Sequence, residues 1–381
     1  MTRFRIVRRY RAALGAACLL LVAGVAAVRP QIAAGPYLQN VTQTSITIMW
    51  ETRRAVRSRV DYGATPAYGR HAAWAQPAMI HEFTITGLQP DTRYHYRVTS
   101  GGASTEDATF ETAVRPETPF RFAVWGDSQA NPAVFRRVAR AIAAAEPRLA
   151  VSVGDLVDDG DDHAQWQSQF FDPGAALLRA APYYSVMGNH EHNAHWYYDY
   201  ASRPGPKNYY AFSYGNARFV VLDTNQDYQP DSPQYQWLVD ELTSDAARGA
   251  EWRFVFFHQP PYCEDALNFA YEGEPGVRRW LVPLFEEHHV DVVFNGHTHD
   301  YERGFLRGVY YIITGGGGGS LHPWVRDVPH IALSRLAHHF CTVDVAGPTL
   351  TLRAVTPGGE VLDRLVVRKG PAARSRGAPT A

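Results

Sequence analysis

Five short blocks of candidate metal ligands fall in one order along the chain: Gly126-Asp127, Gly154-Asp155, Gly188-Asn189-His190-Glu191, His258 and Gly296-His297-Thr298-His299. Each sits where an apolar, strand-like run ends. Phe120 to Trp125 leads to Asp127, Leu149 to Val153 to Asp155, Tyr183 to Met187 to Asn189, Arg253 to Phe257 to His258, and Val290 to Phe294 to His297. Side chains at the carboxyl ends of successive strands predict one shared rim, where open α/β sheets generally place their sites. A lone Gly-Asp pair is more often a turn, and a lone His is usually a hydrogen-bonded structural residue. Five blocks behind five strands, with Asn-His-Glu and His-x-His intact, read instead as a ligand set.

The bulk of the chain sets the frame for that set. With 381 residues, 45% of them apolar and 20% charged, two domains and a substantial core are expected. Residues 1–28 carry Arg3, Arg5, Arg8, Arg9 and Arg11, no acid, and an uncharged run from Ala12 to Val28 that ends in small residues. This reads as an export signal, placing the mature chain outside the cytoplasm, secreted or periplasmic; left uncleaved, the same segment would be a membrane anchor. Taking those five from the 37 basic residues leaves 32 against 38 acidic ones, a net charge of −6. No basic field for nucleic acid remains. Cys263 and Cys341 are too few for a disulfide scaffold and read either as a pair or as two buried thiols.

From residue 30 to 113, short alternating runs broken by Gly, Pro and Asp describe a small antiparallel sandwich: Ser45 to Glu51, Ser58 to Tyr62, His81 to Ile85 and Arg93 to Ser100. The stretch Gly87-Leu88-Gln89-Pro90-Asp91-Thr92-Arg93-Tyr94 resembles the corner of fibronectin type III domains, where a Tyr hydroxyl ties a turn to nearby backbone. Ala113 to Pro119 reads as a linker, and 118–369 as the second domain. There Asn131-Pro132 starts a helix to about Ala145. The late strands Val309 to Thr314, Phe340 to Val345, Thr349 to Val355 and Glu360 to Val367 suggest a second sheet packed on the first, followed by a disordered tail, 370–381. Glu302 and Arg303 read as a buried pair, and Gly315 to Gly319 as backbone passing close to the ligand rim. Trp196, Tyr197, Tyr198, Tyr200, Tyr209 and Tyr210 either wall a cleft or pack an insertion.

Phosphoester hydrolysis is the chemistry that such ligands suit. Two metals ~3.5–4 Å apart neutralise charge on phosphate and acidify a bound water, and they need a shared anion to offset their own repulsion. Asp155 is the candidate bridge, with Asp127 and His299 completing the first metal and Asn189, His258 and His297 the second.

The chain resembles the calcineurin-like metallophosphoesterases, and within them the purple acid phosphatase branch. The likeness rests on Gly35-Pro36-Tyr37-Leu38-Gln39-Asn40, His258-Gln259-Pro260-Pro261-Tyr262, Tyr271-Glu272-Gly273 and Asn295-Gly296-His297-Thr298-His299-Asp300-Tyr301-Glu302-Arg303. It implies an α+β chain, with a fibronectin III-like β-sandwich followed by a four-layer αββα domain, and a dinuclear centre of iron, zinc or manganese. It also implies hydrolysis of small phosphomonoesters by a metal-bound hydroxide, the alternative being a phosphodiesterase or nucleotidase. Carried onto this chain, Asn189 and His190 contact substrate, His190 assists the leaving group, and Asp158 orients His190, with a direct metal contact by Asp158 or Asp159 as the other option.

Three positions depart from the branch. Its iron-binding Tyr, three residues after the bridging Asp, is Asp158 here, which speaks against a purple ferric centre. No His stands in Asn268-Phe269-Ala270, where plant enzymes contact substrate; His192 or His195 would have to substitute. Position 129, a His ligand in many metallophosphoesterases, is Gln129, so the first site relies on water or on the Gln129 oxygen and binds its ion more weakly.

Overall fold

The computed structural model describes residues 31–206, 208–264, 271–323 and 328–370. The export segment 1–28, the Asn268-Phe269-Ala270 stretch and residues 371–381 of the tail lie outside them. Among the described residues no helix is long and apolar enough to cross a membrane.

In the N-terminal domain the runs Ser45 to Glu51 and Ser58 to Tyr62 belong to one strand, Ser45–Gly63, which serves two edges. Its first half pairs with Ile32–Gln39 through Thr47 to Thr52, and its second with Arg93–Ser100 through Ser58 to Gly63. Arg70–Thr86 follows it along both halves, with register shifts between Glu51 and Ser58. A bulge lets one strand turn from one face of a sandwich to the other. The exposed Arg53, Arg54 and Arg57 at this bend interrupt the apolar alternation, which is why the sequence reads as two strands. At the corner, the Gln89 N–H donates to Tyr94 Oη at 2.9 Å.

The sandwich is fastened to the next domain by apolar packing and by a buried acid. Ala34, Tyr37 and Met49 share a core cluster with Trp166, Phe170, Phe171, Tyr183 and Tyr200, and Tyr37 stacks on Phe171 at 5.0 Å. Glu51 accepts from Tyr200 Oη at 2.8 Å and faces His163 Nε2 at 3.1 Å. The linker takes part: Ala113 and Val114 are buried, and the Ala113 N–H donates to Thr42 O at 3.0 Å.

Two mixed sheets stack face to face behind it. One runs in the order Val361–Arg368, Thr349–Val355, Phe340–Ala346, Phe120–Trp125, Leu149–Ser152, Tyr183–Ser185. The other runs Tyr210–Tyr214, Ala217–Val221, Trp252–Phe256, Val292–Asn295, Val309–Thr314, Tyr301–Leu306, Ile331–Arg335. Strand alternation distributes their side chains over three cores. Phe122, Val124, Val151, Phe254, Phe256 and Phe294 meet between the sheets. Ala123, Trp125 and Ala150 point outward under helix Pro132–Ala144 and the helical run from His163 to Leu178. Val255, Phe257 and Val293 lie under Pro233–Leu242, Pro275–Trp280 and Val282–Glu287 on the opposite side. The result is helix, sheet, sheet, helix. Strands buried on both faces read as unbroken apolar runs, as these do. Asn131 caps the first helix, its side chain accepting from the Val134 N–H at 3.3 Å.

Three expectations change. The late strands do not form a sheet of their own: Phe340–Ala346, Thr349–Val355 and Val361–Arg368 extend the sheet of the first ligand strands, while Val309–Thr314 joins the other. The rim is consequently shared by both sheets, because the strands before Asp127, Asp155 and Asn189 lie in one and those before His258 and His297 in the other. An apolar run announces a strand but not its neighbour. Glu302 and Arg303 do not pair with each other. Successive strand residues face opposite ways, so Glu302 accepts from the Glu264 N–H at 2.9 Å while Arg303 Nε reaches Asp363 at 2.6 Å.

Two open alternatives resolve. Cys263 and Cys341 are two buried thiols. Tyr197, Tyr200 and Tyr210 pack the insertion, with the Tyr197 and Tyr210 hydroxyls each donating to Ser185 O at 3.0 Å.

One buried carboxylate gives the fold a pH dependence. Burial pushes Asp223 up to about 6 from 3.8, against hydrogen bonds from the Asn225 backbone and amide, and its Oδ2 has no hydrogen-bond partner. The folded-state value lies above the unfolded one, so its stabilisation is complete below pH about 4 and lost as pH rises through about 6. Asp223→Asn is expected to raise the unfolding free energy at pH 7.5 by up to about 3 kcal/mol and to bring no gain at pH 4. Urea unfolding at both pH values checks this, and an equal shift at both would refute it.

Candidate metal centre

The turns that end the ligand strands are conformationally special. Asp127, Asp155 and His297 have φ of 58°, 53° and 73°, the left-handed region that non-glycine residues enter only where surrounding contacts hold them. Those contacts stitch the blocks together. Asp127 N–H donates to Gly154 O at 2.9 Å, Gly296 N–H to His258 O at 3.0 Å, His297 N–H to Asp127 Oδ1 at 2.9 Å and His190 N–H to Asp155 Oδ1 at 3.0 Å. Each aspartate thereby commits one oxygen to the backbone of a distant block and keeps the other for the centre. Asp127 Oδ2 is buried with no hydrogen-bond partner, and Asp155 Oδ2 faces His258 Nε2 at 3.1 Å. Two glycines allow this approach: a Cβ at Gly188 would lie 2.0 Å from Asp155 Oδ1, and one at Gly296 2.4 Å from Asp127 Oδ2.

Four donors converge around the second metal position. Asn189 Oδ1 lies 3.1 Å from His258 Nε2 and 2.9 Å from His297 Nδ1, and the two imidazoles approach to 3.3 Å. Asp155, His258 and His297 each offer an atom within 4.8 Å of the others. At the first position His299 Nε2 lies 3.5 Å from Asp127 Oδ1. Outer contacts select the ring nitrogen that faces inward: His258 Nδ1 is held by Val153 O at 2.8 Å and His299 Nδ1 by Ser320 O at 2.6 Å, leaving each Nε2 for the centre.

The electrostatics favour a cation here. Burial works against both charges, yet the Asp155 carboxylate beside His258 carries that imidazole up to about 10, and His258 in turn brings Asp155 down to about 2. His297 is driven down to about 3 by burial and by the charge on His258. One positive charge is wanted in this ring of donors and a second imidazolium is refused, while oxygen and nitrogen ligands abound. An orphaned buried carboxylate oxygen, glycines that clear its path and oriented imidazoles fit metal ions held among these oxygen and nitrogen donors.

The neighbours of the centre divide into those the sequence had marked and one it had not. His190 borders the site with its side chain 36% exposed, and its Nδ1 lies 2.8 Å from the main-chain O of Asp158. The Asp158 carboxylate, expected to be the orienting group, is 3.9 Å away and half exposed, so the backbone holds the ring instead. Asp159 gathers with Asp161 and His192, and His195 pairs with Asp199 at 2.8 Å. Gly315 to Gly319 runs against the first block, with the Gly317 and Gly319 N–H groups donating to Gly126 O and Asp127 O. Gln129 is buried, its Nε2 3.4 Å from both Asp155 Oδ2 and His299 Nε2.

Glu191 has a role that its place in the sequence does not announce. Fully buried, it accepts the N–H groups of Asp155 at 3.0 Å, Leu156 at 2.6 Å and Gly188 at 2.5 Å, clamping the second block to the third. Burial and the Asp155 charge push its carboxyl up to about 7 against the pull of those donors. Its place directly after the candidate catalytic His was the only available signal.

Residues 120–301 match the calcineurin-like phosphoesterase family, and residues 35–112 match the purple acid phosphatase N-terminal domain. The chain thus carries a calcineurin-like phosphoesterase domain preceded by a purple acid phosphatase N-terminal domain. It is 29% identical over 273 residues to purple acid phosphatase 21 of Arabidopsis thaliana, covering 65% of this chain and 61% of that one. It is 30% identical over 244 residues to purple acid phosphatase 5 of the same plant, covering 62% and 58%. The chain thus spans about three fifths of the length of these curated relatives. Its fold is similar to that of purple acid phosphatase PPD1 from yellow lupin (Lupinus luteus) seeds, with a TM-score of 0.76 at 18% identity over 87% of this chain and 74% of that one.

Proposed function

We propose that this chain is a dinuclear, metal-dependent hydrolase of small phosphomonoesters. The observation that carries the reading is the convergence of Asp155, Asn189, His258 and His297, with His299 beside Asp127 and Gln129 Nε2 lying 3.4 Å from both Asp155 Oδ2 and His299 Nε2. Asp127, His299 and Asp155 would hold one ion, and Asn189, His258, His297 and Asp155 the other; iron, zinc and manganese all suit oxygen and imidazole donors. Bound there, such a pair supplies charge neutralisation at phosphate and a water acidified enough to be hydroxide near neutrality.

The protein's own contribution is placement. Nδ1 of His190 lies 2.8 Å from Asp158 O, so that edge of the ring carries a proton and Nε2 is left for another partner. With that nitrogen also protonated, as in imidazolium, a substrate oxygen reaching it would meet a group able to donate a proton to the departing alkoxide or to stabilise charge on phosphate. Asn189, the preceding residue, would contact the same phosphate. The net charge of −6 without residues 1–28 supports a small ester rather than a nucleic-acid polymer. The arginine-rich start and the apolar run to Val28 support export to a secreted or periplasmic location.

Metal-loaded protein assayed in parallel on a mono-aryl phosphate and a bis-aryl phosphate tests the reading. The monoester is expected to turn over at least ten-fold faster, as kcat/KM. A preference for the diester would make the chain a phosphodiesterase on the same centre, and inertness toward both with Zn2+, Mn2+ and Fe2+ would overturn the hydrolase assignment.

A further inference from the structure

Gln129 is 2% exposed, and primary amides buried this far ordinarily satisfy both ends. Only one end is satisfied here. Nε2 lies 3.4 Å from Asp155 Oδ2 and 3.4 Å from His299 Nε2, among the donors of the first metal position, while Oε1 is buried without a hydrogen-bond partner. The residue is anchored at both peptide ends, its N–H donating to Asp155 O at 3.3 Å and its carbonyl accepting from Asn131 N–H at 2.7 Å. The two ends of a primary amide are nearly isosteric, and a half-turn about the last side-chain bond exchanges them. Oε1 then faces Asp155 Oδ2 and the bare Nε2 of His299. Lone pairs so arranged repel one another unless a cation sits among them, and with a cation they become its ligands.

We propose that Gln129 is a ligand of the first metal through Oε1, and that this site takes a divalent, oxygen-seeking ion such as Mn2+ in preference to ferric iron. The proposal rests on the two-metal reading above. Its donor set is Asp127, Asp155, His299 and Gln129: three oxygens and one imidazole nitrogen, with two negative charges, one of them shared with the second ion. A neutral amide adds no charge to offset a trivalent ion, and hard oxygen donors suit Mn2+. No phenolate enters from the position three residues after Asp155, because that residue is Asp158, half exposed on the His190 side.

The experiment is a Mn2+ titration of metal-free protein with bound metal counted per chain, on wild type, Gln129→Ala and Gln129→Glu, together with thermal unfolding of each protein without metal. Wild type should bind two ions. Gln129→Ala should keep one at wild-type affinity and bind the other roughly ten- to hundred-fold more weakly, while Gln129→Glu, which restores an oxygen, should again bind two. Metal-free Tm values within a few degrees of one another exclude a folding defect. Two ions bound by Gln129→Ala at wild-type affinity would overturn the ligand assignment. An intense visible phenolate band in iron-loaded wild type would overturn the preference against ferric iron. Failure of the underlying reading looks different: wild type itself would bind fewer than two ions at saturating Mn2+, and both proposals would fall.

Discussion

Asp155→Asn is expected to lower kcat/KM on a phosphomonoester by a factor on the order of 10³ or more while the protein stays folded. The substitution is nearly isosteric, and an Asn Oδ1 can still accept the His190 N–H that Asp155 Oδ1 accepts at 3.0 Å. What disappears is the negative charge between the two ion positions. In the proposed centre that charge would offset the repulsion of the cations, and it holds the buried His258, 3.1 Å away, in its raised range near 10. A metal pair can supply several kcal/mol of transition-state stabilisation, and each 1.36 kcal/mol is a factor of ten in rate. Elemental analysis should find the variant short of at least one ion at metal concentrations that fill the wild type. A variant with two ions and a rate within ten-fold of wild type would show that Asp155 does not bridge.

Glu191→Ala should be costly in a different currency, stability. Three buried N–H donors, from Asp155, Leu156 and Gly188, converge on this one carboxylate. An orphaned buried donor costs about 1–3 kcal/mol, and water entering the space left by the side chain recovers part of that, so a loss of about 3–5 kcal/mol is expected. Glu191→Gln keeps one accepting oxygen and should fall between. Because the donors belong to the ligand turns, Glu191→Ala should also weaken metal binding although Glu191 touches no ion. Denaturant midpoints, compared at unchanged slope, give the measurement. A Glu191→Ala protein that unfolds at the wild-type midpoint would mean that the turns are held by their left-handed backbone alone.

The two variants mark how far the site could be read in advance. Asp155, Asn189, His258 and His297 were legible because each follows an apolar run directly, and the end of a strand is a local property of the chain. Glu191 was visible as a letter and not as a role. Its three partners lie 3, 35 and 36 positions away, and nothing in composition or period announces that turns so separated must share one acceptor. Asp158 shows the converse. A carboxylate at the right spacing suggested a side-chain hydrogen bond to His190, but the main-chain carbonyl of the same residue reaches the ring first.

The amino-acid order alone determined the strand ends, which donor side chains stand at them, the capped helix at Asn131 and the division into a β domain followed by an α/β one, since each follows from local periodicity or from the residue types present. Folding in three dimensions decided which strands are neighbours, that two stacked sheets share the ligand rim, that Ser45–Gly63 is one strand bent across the sandwich, and that Glu302 and Arg303 face opposite ways. Those outcomes depend on packing and hydrogen bonding between segments far apart in the chain, where a short stretch of residues carries no information about its partner.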